Sequence, residues 1–170
     1  MIIGIVCVDE NWGIGKKNDL LFHLKKDMQF FRLQTADSIV FCGYNTLLSF
    51  PGSKPLKGRS TICLCPEGIE REDCFCVHDF NTAVRLVKEL AKTKNVYVIG
   101  GAMLYESMLP YYDYVYVNKV RANGEAEVFF PNLDLYADLN CLKQFPEVED
   151  EGYTTQLCLY TKNLLQEIKE

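Results

Sequence analysis

Asp27 is an acid where an apolar side chain is expected. On a helical wheel of about 100° per residue, Leu24, Met28 and Phe31 form an apolar stripe with Phe30 on its flank, and Asp27 projects between Phe30 and Phe31. Lys25, Lys26, Gln29 and Arg32 fill the opposite arc. A carboxylate inside the apolar sector is desolvated and needs a partner. It is a candidate functional group, although it could also pair with a buried Arg or cap a neighbouring loop. Its surroundings favour function. The glycine-rich stretch Asn11-Trp12-Gly13-Ile14-Gly15 lies shortly before it and follows the first apolar run. In an open α/β sheet, ligands gather beyond the carboxyl ends of strands.

A second place for chemistry is Val96-Tyr97-Val98-Ile99-Gly100-Gly101-Ala102. An apolar strand ends in two glycines and a helical pattern starts at once. Glycines let backbone approach a ligand closely, and a helix start offers free N–H groups to phosphate. The dinucleotide fingerprint G-x-G-x-x-G is absent, and such a joint also occurs simply as a tight turn.

The elements that must position these residues alternate along the chain. Strands are expected at 2–8, 38–42, 60–65, 74–77, 95–99 and 112–120, with a last pair at 140–145 and 155–161. Helices are expected at 24–34, 44–49, 81–91 and 102–109, the third capped by Asn81 and Thr82. The order predicts an α/β sheet, mostly parallel, with helices on both faces. Turn residues mark the joints at Pro51-Gly52-Ser53-Lys54-Pro55, Pro66-Glu67-Gly68 and Asn123-Gly124. Asn163–Glu170 is expected to be a short terminal helix or to fray.

The 170 residues fit one domain, 1–170, long enough to bury a core without metals or disulfides. A net charge of -5 and a pI near 5.1 argue against nucleic-acid and membrane partners. The apolar opening stops at Asp9 and Glu10, too short for a signal or a span. Eight Cys without a secretory signal argue for a reducing, cytoplasmic setting. Cys63-Leu64-Cys65 and Cys74-Phe75-Cys76 each put two thiols on one face of an extended segment. A four-thiolate metal site is conceivable; the plainer reading is Cys as a small buried hydrophobe, with no metal.

Seven elements in order resemble the dihydrofolate reductase family, over nearly the whole chain. They are Gly13-Ile14-Gly15-Lys16-Lys17-Asn18, Leu20-Leu21-Phe22, Asp27-Met28-Gln29-Phe30-Phe31, Gly43-Tyr44-Asn45-Thr46, Pro55-Leu56-Lys57-Gly58-Arg59, Ile99-Gly100-Gly101-Ala102-Met103-Leu104-Tyr105 and Phe130-Pro131. The resemblance implies a three-layer α/β fold, with an eight-stranded mostly parallel sheet, an antiparallel last strand and about four helices. It implies a monomeric reductase of 7,8-dihydrofolate using NADPH, with NADH as the alternative, in tetrahydrofolate biosynthesis and one-carbon metabolism, of the kind that antifolates target.

Residue by residue, the resemblance makes Asp27 the pterin-binding acid: a carboxylate can accept from the adjacent 2-amino and N3 donors. It would also help bring a proton to N5 while hydride reaches C6. Ile5, Met28, Phe31, Ile99 and Asn118 join it around the substrate, and Arg59 forks onto the α-carboxylate of the glutamate tail. Gly13 to Asp19 corresponds to a mobile lid over nicotinamide, with Cys7, Ile14, Gly15, Asn18 and Asp19 toward the cofactor. Gly43, Asn45 and Thr46, and Gly100, Gly101, Ala102, Met103, Leu104 and Tyr105, would surround the pyrophosphate. Cys65 and His78 lie on the adenosine side. In the family the peptide between the two glycines is cis.

Several positions depart from the family pattern. Phe22, at a catalytic position, stands for the usual Trp and offers no indole donor. Leu21 stands for Pro, and a looser lid is expected from the change. Asn118 stands for Thr, and its amide can still donate to Asp27. Tyr44 stands for the Arg that reaches the adenosine 2′-phosphate, and Pro66 lacks an N–H. His78, Lys16, Lys17 or Arg85 are the candidate replacement charges, so a weakened preference for NADPH over NADH is expected. The alternatives are a riboflavin-pathway pyrimidine reductase of the same fold, a non-catalytic folate- or cofactor-binding homologue, and a metal-site protein.

Overall fold

Alternate residues of each strand leave for opposite faces of one sheet, and this parity decides where the helices sit. The structure is a computed structural model that describes residues 1–162. Its strands are β1 (Ile2–Val8), β2 (Gly13–Lys16), β3 (Asp19–Leu20), β4 (Ile39–Gly43), β5 (Ser60–Leu64), β6 (Phe75–Val77), β7 (Val96–Gly100), β8 (Tyr114–Val120), β9 (Val128–Phe129), β10 (Leu139–Gln144), β11 (Val148–Asp150) and β12 (Tyr153–Lys162). Its α-helices are α1 (Lys25–Thr35), α2 (Tyr44–Ser49), α3 (Phe80–Leu90) and α4 (Ala102–Ser107).

On one face of the sheet, Val6 and Val8 of β1, Phe41 of β4 and Val98 of β7 join Ala83, Val84 and Val87 of α3 and Leu104 of α4. On the other face, Ile3 and Ile5 of β1, Val40 of β4 and Tyr97 of β7 lie under Phe30 and Phe31 of α1. Farther along that face, Leu47 of α2 closes over Cys42, Cys63 and Cys65. Each buried Val or Ile contributes about 1.5–3 kcal/mol. The result is three layers. The main sheet has the order β10-β12-β8-β1-β7-β4-β5-β6, with β11 added on β12. The run from β8 to β6 is parallel, and β12 runs antiparallel to β8.

Two expectations need correction. The cap of α3 is Asp79, not Asn81 or Thr82: its side chain accepts from the Thr82 amide at 2.9 Å and the Thr82 hydroxyl at 2.6 Å. The first strand after α4 begins at Tyr114, not at 112, because a 3-10 turn over Leu109–Tyr111 uses up the approach. The segment expected as a mobile lid, Gly13 to Asp19, lies in a small second sheet, β3-β2-β9. Its glycines serve close approach. A Cβ on Gly13 would lie 2.3 Å from Ala126 Cβ, and one on Gly15 would lie 2.9 Å from Val128 Cγ2. Lys17 and Asn18, both with positive φ, make the tight turn between β2 and β3. The expected terminal helix at Asn163–Glu170 lies outside the described residues.

Candidate active site

The carboxyl ends of β1, β4, β7 and β8 converge with the starts of α1, α2 and α4. Asp27 sits in the first turn of α1. Its carboxylate accepts from Asn118 Nδ2 of β8 at 3.0 Å and is within reach of the Cys7 thiol of β1. Among the described residues no cation pairs with it. Burial holds its proton affinity above the usual carboxylate range; the nearby charge of Asp150 adds to this, and the Asn118 and Cys7 donors oppose it. Burial, then the Asp27 and Asp150 charges, push the Cys7 thiol far up, so at neutral pH Cys7 is a protonated donor. Asp27 is therefore an acid between neutral donors, with no Arg partner.

Around it, Ile5 is buried and Phe31 and Ile99 are half-buried in one cluster. The Ile5 carbonyl accepts from the Tyr105 hydroxyl at 2.8 Å, which leaves it a second lone pair. Ile99 is the extra residue at a register shift: Phe41 faces Val98, and Cys42 already faces Gly100. Such a bulge re-aims the backbone, and Ile99 packs against both the α1 and the α2 clusters.

Arg59 is drawn onto the end of α1. Nε donates to Thr35 Oγ1 at 2.7 Å and Nη2 to the Arg32 carbonyl at 2.9 Å, and Nη1 donates to the Lys57 carbonyl. A guanidinium has five N–H donors, so two remain for a ligand. Met28 is exposed and opens onto a groove of about 660 Å³ on the outer flank of α1, with Gln29 and Arg32. Phe22 packs edge-on against Tyr153 at 4.9 Å. Leu21 sits over Gly124, where a Cβ would come within 2.9 Å of it.

On the other side, α2 and α4 start opposite one another. Their caps, Gly43 and Gly101, carry no side chain, so the first-turn amides are open. The Gly100–Gly101 peptide is cis. A Cβ on Gly101 would lie 3.3 Å from the Thr46 hydroxyl, and one on Gly43 would lie 3.9 Å from the Gly100 carbonyl. Open amides, a hydroxyl and bare backbone form a cradle that suits a pyrophosphate, with Asn45 in the first turn of α2. Met103 is exposed at the edge, whereas Leu104 and Tyr105 send their side chains into the core and offer only backbone.

Farther out, three of the four expected replacement charges are engaged elsewhere. His78 Nε2 meets Glu70 at 2.6 Å, which raises its proton affinity, and Nδ1 meets the Pro66 carbonyl at 3.1 Å. Lys16 pairs with Glu125 at 3.4 Å, and Arg85 reaches back to Thr82 Oγ1. Lys17 and Asn18 are exposed in the β2–β3 turn, and Asp19 pairs with His23 at 3.4 Å. Ile14 is half-buried against the core. Tyr44 packs on the buried thiols of Cys42, Cys63 and Cys65. Cys42, Cys63 and Cys76 are in register across β4, β5 and β6, and Cys74 Sγ lies 3.9 Å from Cys76 Sγ. All eight cysteines are free. Among the described residues no three ligand side chains are arranged to hold a metal ion. The thiols of Cys65 and Cys74 are pushed up mainly by burial, and that of Cys63 first by contact with Cys42, so they stay protonated and unreactive.

Three residues were not singled out in the sequence. Asp9, buried, accepts from the amides of Asn11, Gly13 and Gly124 at 2.7–2.9 Å and ties the small sheet to β1. Asp150, also buried, accepts from the amides of Lys26 and Asp27. Arg71, near Tyr44, pairs with Asp73 at 2.7 Å. No local pattern marks Asp9, and Asp150 stands in an acidic run, 147–151, that reads as solvated charge.

Comparison with known proteins gives one consistent result. A profile of the family described as dihydrofolate reductase matches residues 1–162. The dihydrofolate reductase of Mus musculus is 31% identical over 179 residues, covering 93% of this chain and 95% of that protein. The viral dihydrofolate reductase of Saimiriine herpesvirus 2 is 30% identical over 178 residues, covering 93% and 83%. Among solved structures, a dihydrofolate reductase from Enterococcus faecalis complexed with NADP(H) and RAB-propyl superposes with a TM-score of 0.83 at 28% identity, covering 96% of each chain.

Proposed function

The chain belongs to the dihydrofolate reductase family, and from that premise we propose that it reduces 7,8-dihydrofolate to 5,6,7,8-tetrahydrofolate with Asp27 as the pterin-binding acid. The observation that carries this reading is Asp27 itself, half-buried, without a cation and flanked by the neutral donors Asn118 and Cys7. A pterin edge presents two adjacent N–H donors that satisfy such a carboxylate.

A nicotinamide dinucleotide, when bound, supplies the hydride that enters C6 of the pterin. The residues of this chain do the rest. Asp27 holds the 2-amino group and N3, which fixes the ring and places its imine edge toward Ile99. Because its proton affinity is raised, Asp27 keeps a proton available for N5, passed through the substrate or a water. Ile5, Phe31 and Ile99 exclude bulk water from the ring, which favours the protonated imine. Arg59, already aimed by Thr35 and the Arg32 carbonyl, takes the α-carboxylate of the tail. The uncapped starts of α2 and α4, with Thr46, take the pyrophosphate.

NADPH is the proposed cofactor, with reduced discrimination against NADH. Tyr44 gives no charge to a 2′-phosphate, and His78 and Arg71 are already bound to Glu70 and Asp73. The decisive assay follows nicotinamide absorbance with dihydrofolate, using NADPH and NADH in turn. Turnover with dihydrofolate is expected with both. Tight binding of both ligands without turnover would replace this reading with a binding protein.

A further inference from the structure

We propose that Asp150 is a positioning residue for the reaction: its carboxylate aims Asp27 by capping the helical turn that carries it and by placing a second negative charge behind it. This rests on Asp27 being the pterin-binding acid.

The first amides of any helix lack partners within it. At the start of α1 the cap position is Leu24, which has nothing to offer. The cap comes instead from the far end of the chain. Asp150, the last residue of β11 and 3% exposed, accepts from the Lys26 amide at 3.2 Å through Oδ1 and from the Asp27 amide at 3.0 Å through Oδ2. Its neighbours fasten the same turn: Lys26 Nζ donates to the Glu149 carbonyl, and Lys25 pairs with Glu151 at 3.7 Å. Asp150 is itself fixed by the pairing of β11 with β12, where it faces Tyr153. The backbone of Asp27 is thus set by a strand pair, not by its own helix.

The second effect is electrostatic. Two backbone amides lie on the Asp150 carboxylate. Asp27 has one amide donor, a thiol and apolar walls. The titratable groups facing Asp27 are Cys7 from β1, Tyr105 from α4 and Asp150 from β11. Lys26, on its own helix, turns outward to Glu149. Of these three, Asp150 is the one whose charge raises the proton affinity of Asp27, beside the burial that dominates it. A cap of merely structural use would need no charge; a serine or asparagine serves as well.

The test separates cap from charge. Asp150→Asn and Asp150→Ser keep an oxygen acceptor and remove the charge; Asp150→Ala removes both. The Asp27 carboxyl is titrated in the ligand-free protein by carbon-13 NMR, its signal assigned by its loss in Asp27→Asn. The pH dependence of single-turnover hydride transfer is measured in parallel. In Asp150→Asn and Asp150→Ser the Asp27 midpoint is expected to move to lower pH by about half a unit or more, and the alkaline fall in rate to move with it. In Asp150→Ala the Asp27 amide should also exchange about tenfold faster. Asp79→Ala, which uncaps α3 away from the site, should lower Tm and leave the midpoint in place. An unchanged midpoint in both charge-removing variants overturns the inference; should one of them not fold, the other decides. If the midpoint moves but Asp27→Asn still turns over normally, the pterin reading fails and the link between the two acids stands.

Discussion

The two sides of the cleft hold charge in opposite ways. On the substrate side one acid, Asp27, is half-buried beside neutral donors and has no cation. On the cofactor side three surface cations are matched to acids, His78 to Glu70, Arg71 to Asp73 and Lys16 to Glu125, while Arg85 meets the Thr82 hydroxyl and Lys17 is exposed in the β2–β3 turn. The binding proposed there rests on open amides at two helix starts and on Thr46. The difference teaches which parts depend on side-chain identity. Proton chemistry needs one group whose environment shifts its ionisation, and that takes several particular neighbours. A pyrophosphate cradle is built from backbone and tolerates a neutral Tyr at 44.

The largest expected effect breaks the substrate side. Asp27→Asn should cut turnover by at least about a hundredfold, the usual range for an acid–base group. The same change should raise Tm at pH 7. Folding lifts the proton affinity of Asp27 above its unfolded value, so the folded state binds more protons between the two pKa values. Stability is then greatest below the ordinary carboxylate pKa and falls as pH climbs through the raised one. Melting curves of the two proteins should converge at acid pH and separate at neutral pH. A lower Tm for Asp27→Asn at pH 7 would mean the carboxylate is stably paired, and the contrast between the two sides would be lost.

Arg59 sharpens the comparison, because it is a cation on the substrate side with no acid partner. Arg59→Ala should raise KM for dihydrofolate by roughly ten- to a hundredfold, as expected for one charge-assisted fork. KM for a pterin lacking the glutamate tail should stay the same. Arg59→Lys should recover little, since a point charge does not reproduce the fork. Equal losses with both substrates would make Arg59 only a strut for α1 through Thr35.

Much of the substrate side was legible because it is local. The period of α1 put Asp27 inside its apolar sector, and the family resemblance put Ile5 with Phe31, which share one cluster. What was not legible depends on contacts across the chain. Asp150 caps α1 from 123–124 residues away. Asp9 joins Gly13 to Gly124 from the end of a strand. Two- and four-residue strands such as β3 and β2 are too short for a periodic signal, so the close packing at Gly13 and Gly15 was not read from them. Asn81 and Thr82 are good capping types, but Asp79 lies one turn earlier and holds the Thr82 amide.

On the cofactor side, Tyr44→Arg tests whether the missing cation is the whole of the weakened discrimination. The natural chain should prefer NADPH by less than about a thousandfold in kcat/KM, roughly 4 kcal/mol. Tyr44→Arg should raise that preference by about tenfold, with an effect that shrinks in high salt. If the preference is already above a thousandfold, Arg71 must leave Asp73 to reach the phosphate, and Arg71→Ala would then remove it.

The smallest effect concerns the thiols beneath Tyr44. If the cofactor side relies on backbone, these buried cysteines are packing, and their polarity should not matter to binding. Cys63 is fully buried between Cys42 and Cys76 in register. Cys63→Ala should cost about 1 kcal/mol from the lost sulfur and leave both KM values within about twofold. Cys63→Ser should cost more than Ala although it is closer in size, because a hydroxyl needs a hydrogen-bond partner in a row of weakly polar thiols. Added Zn²⁺ should leave Tm unchanged in the parent protein. A Ser variant as stable as the parent, or a Tm that rises with Zn²⁺ and does so less in Cys63→Ala, would show polar or metal-binding use of the row, and the cofactor side would then depend on side chains after all.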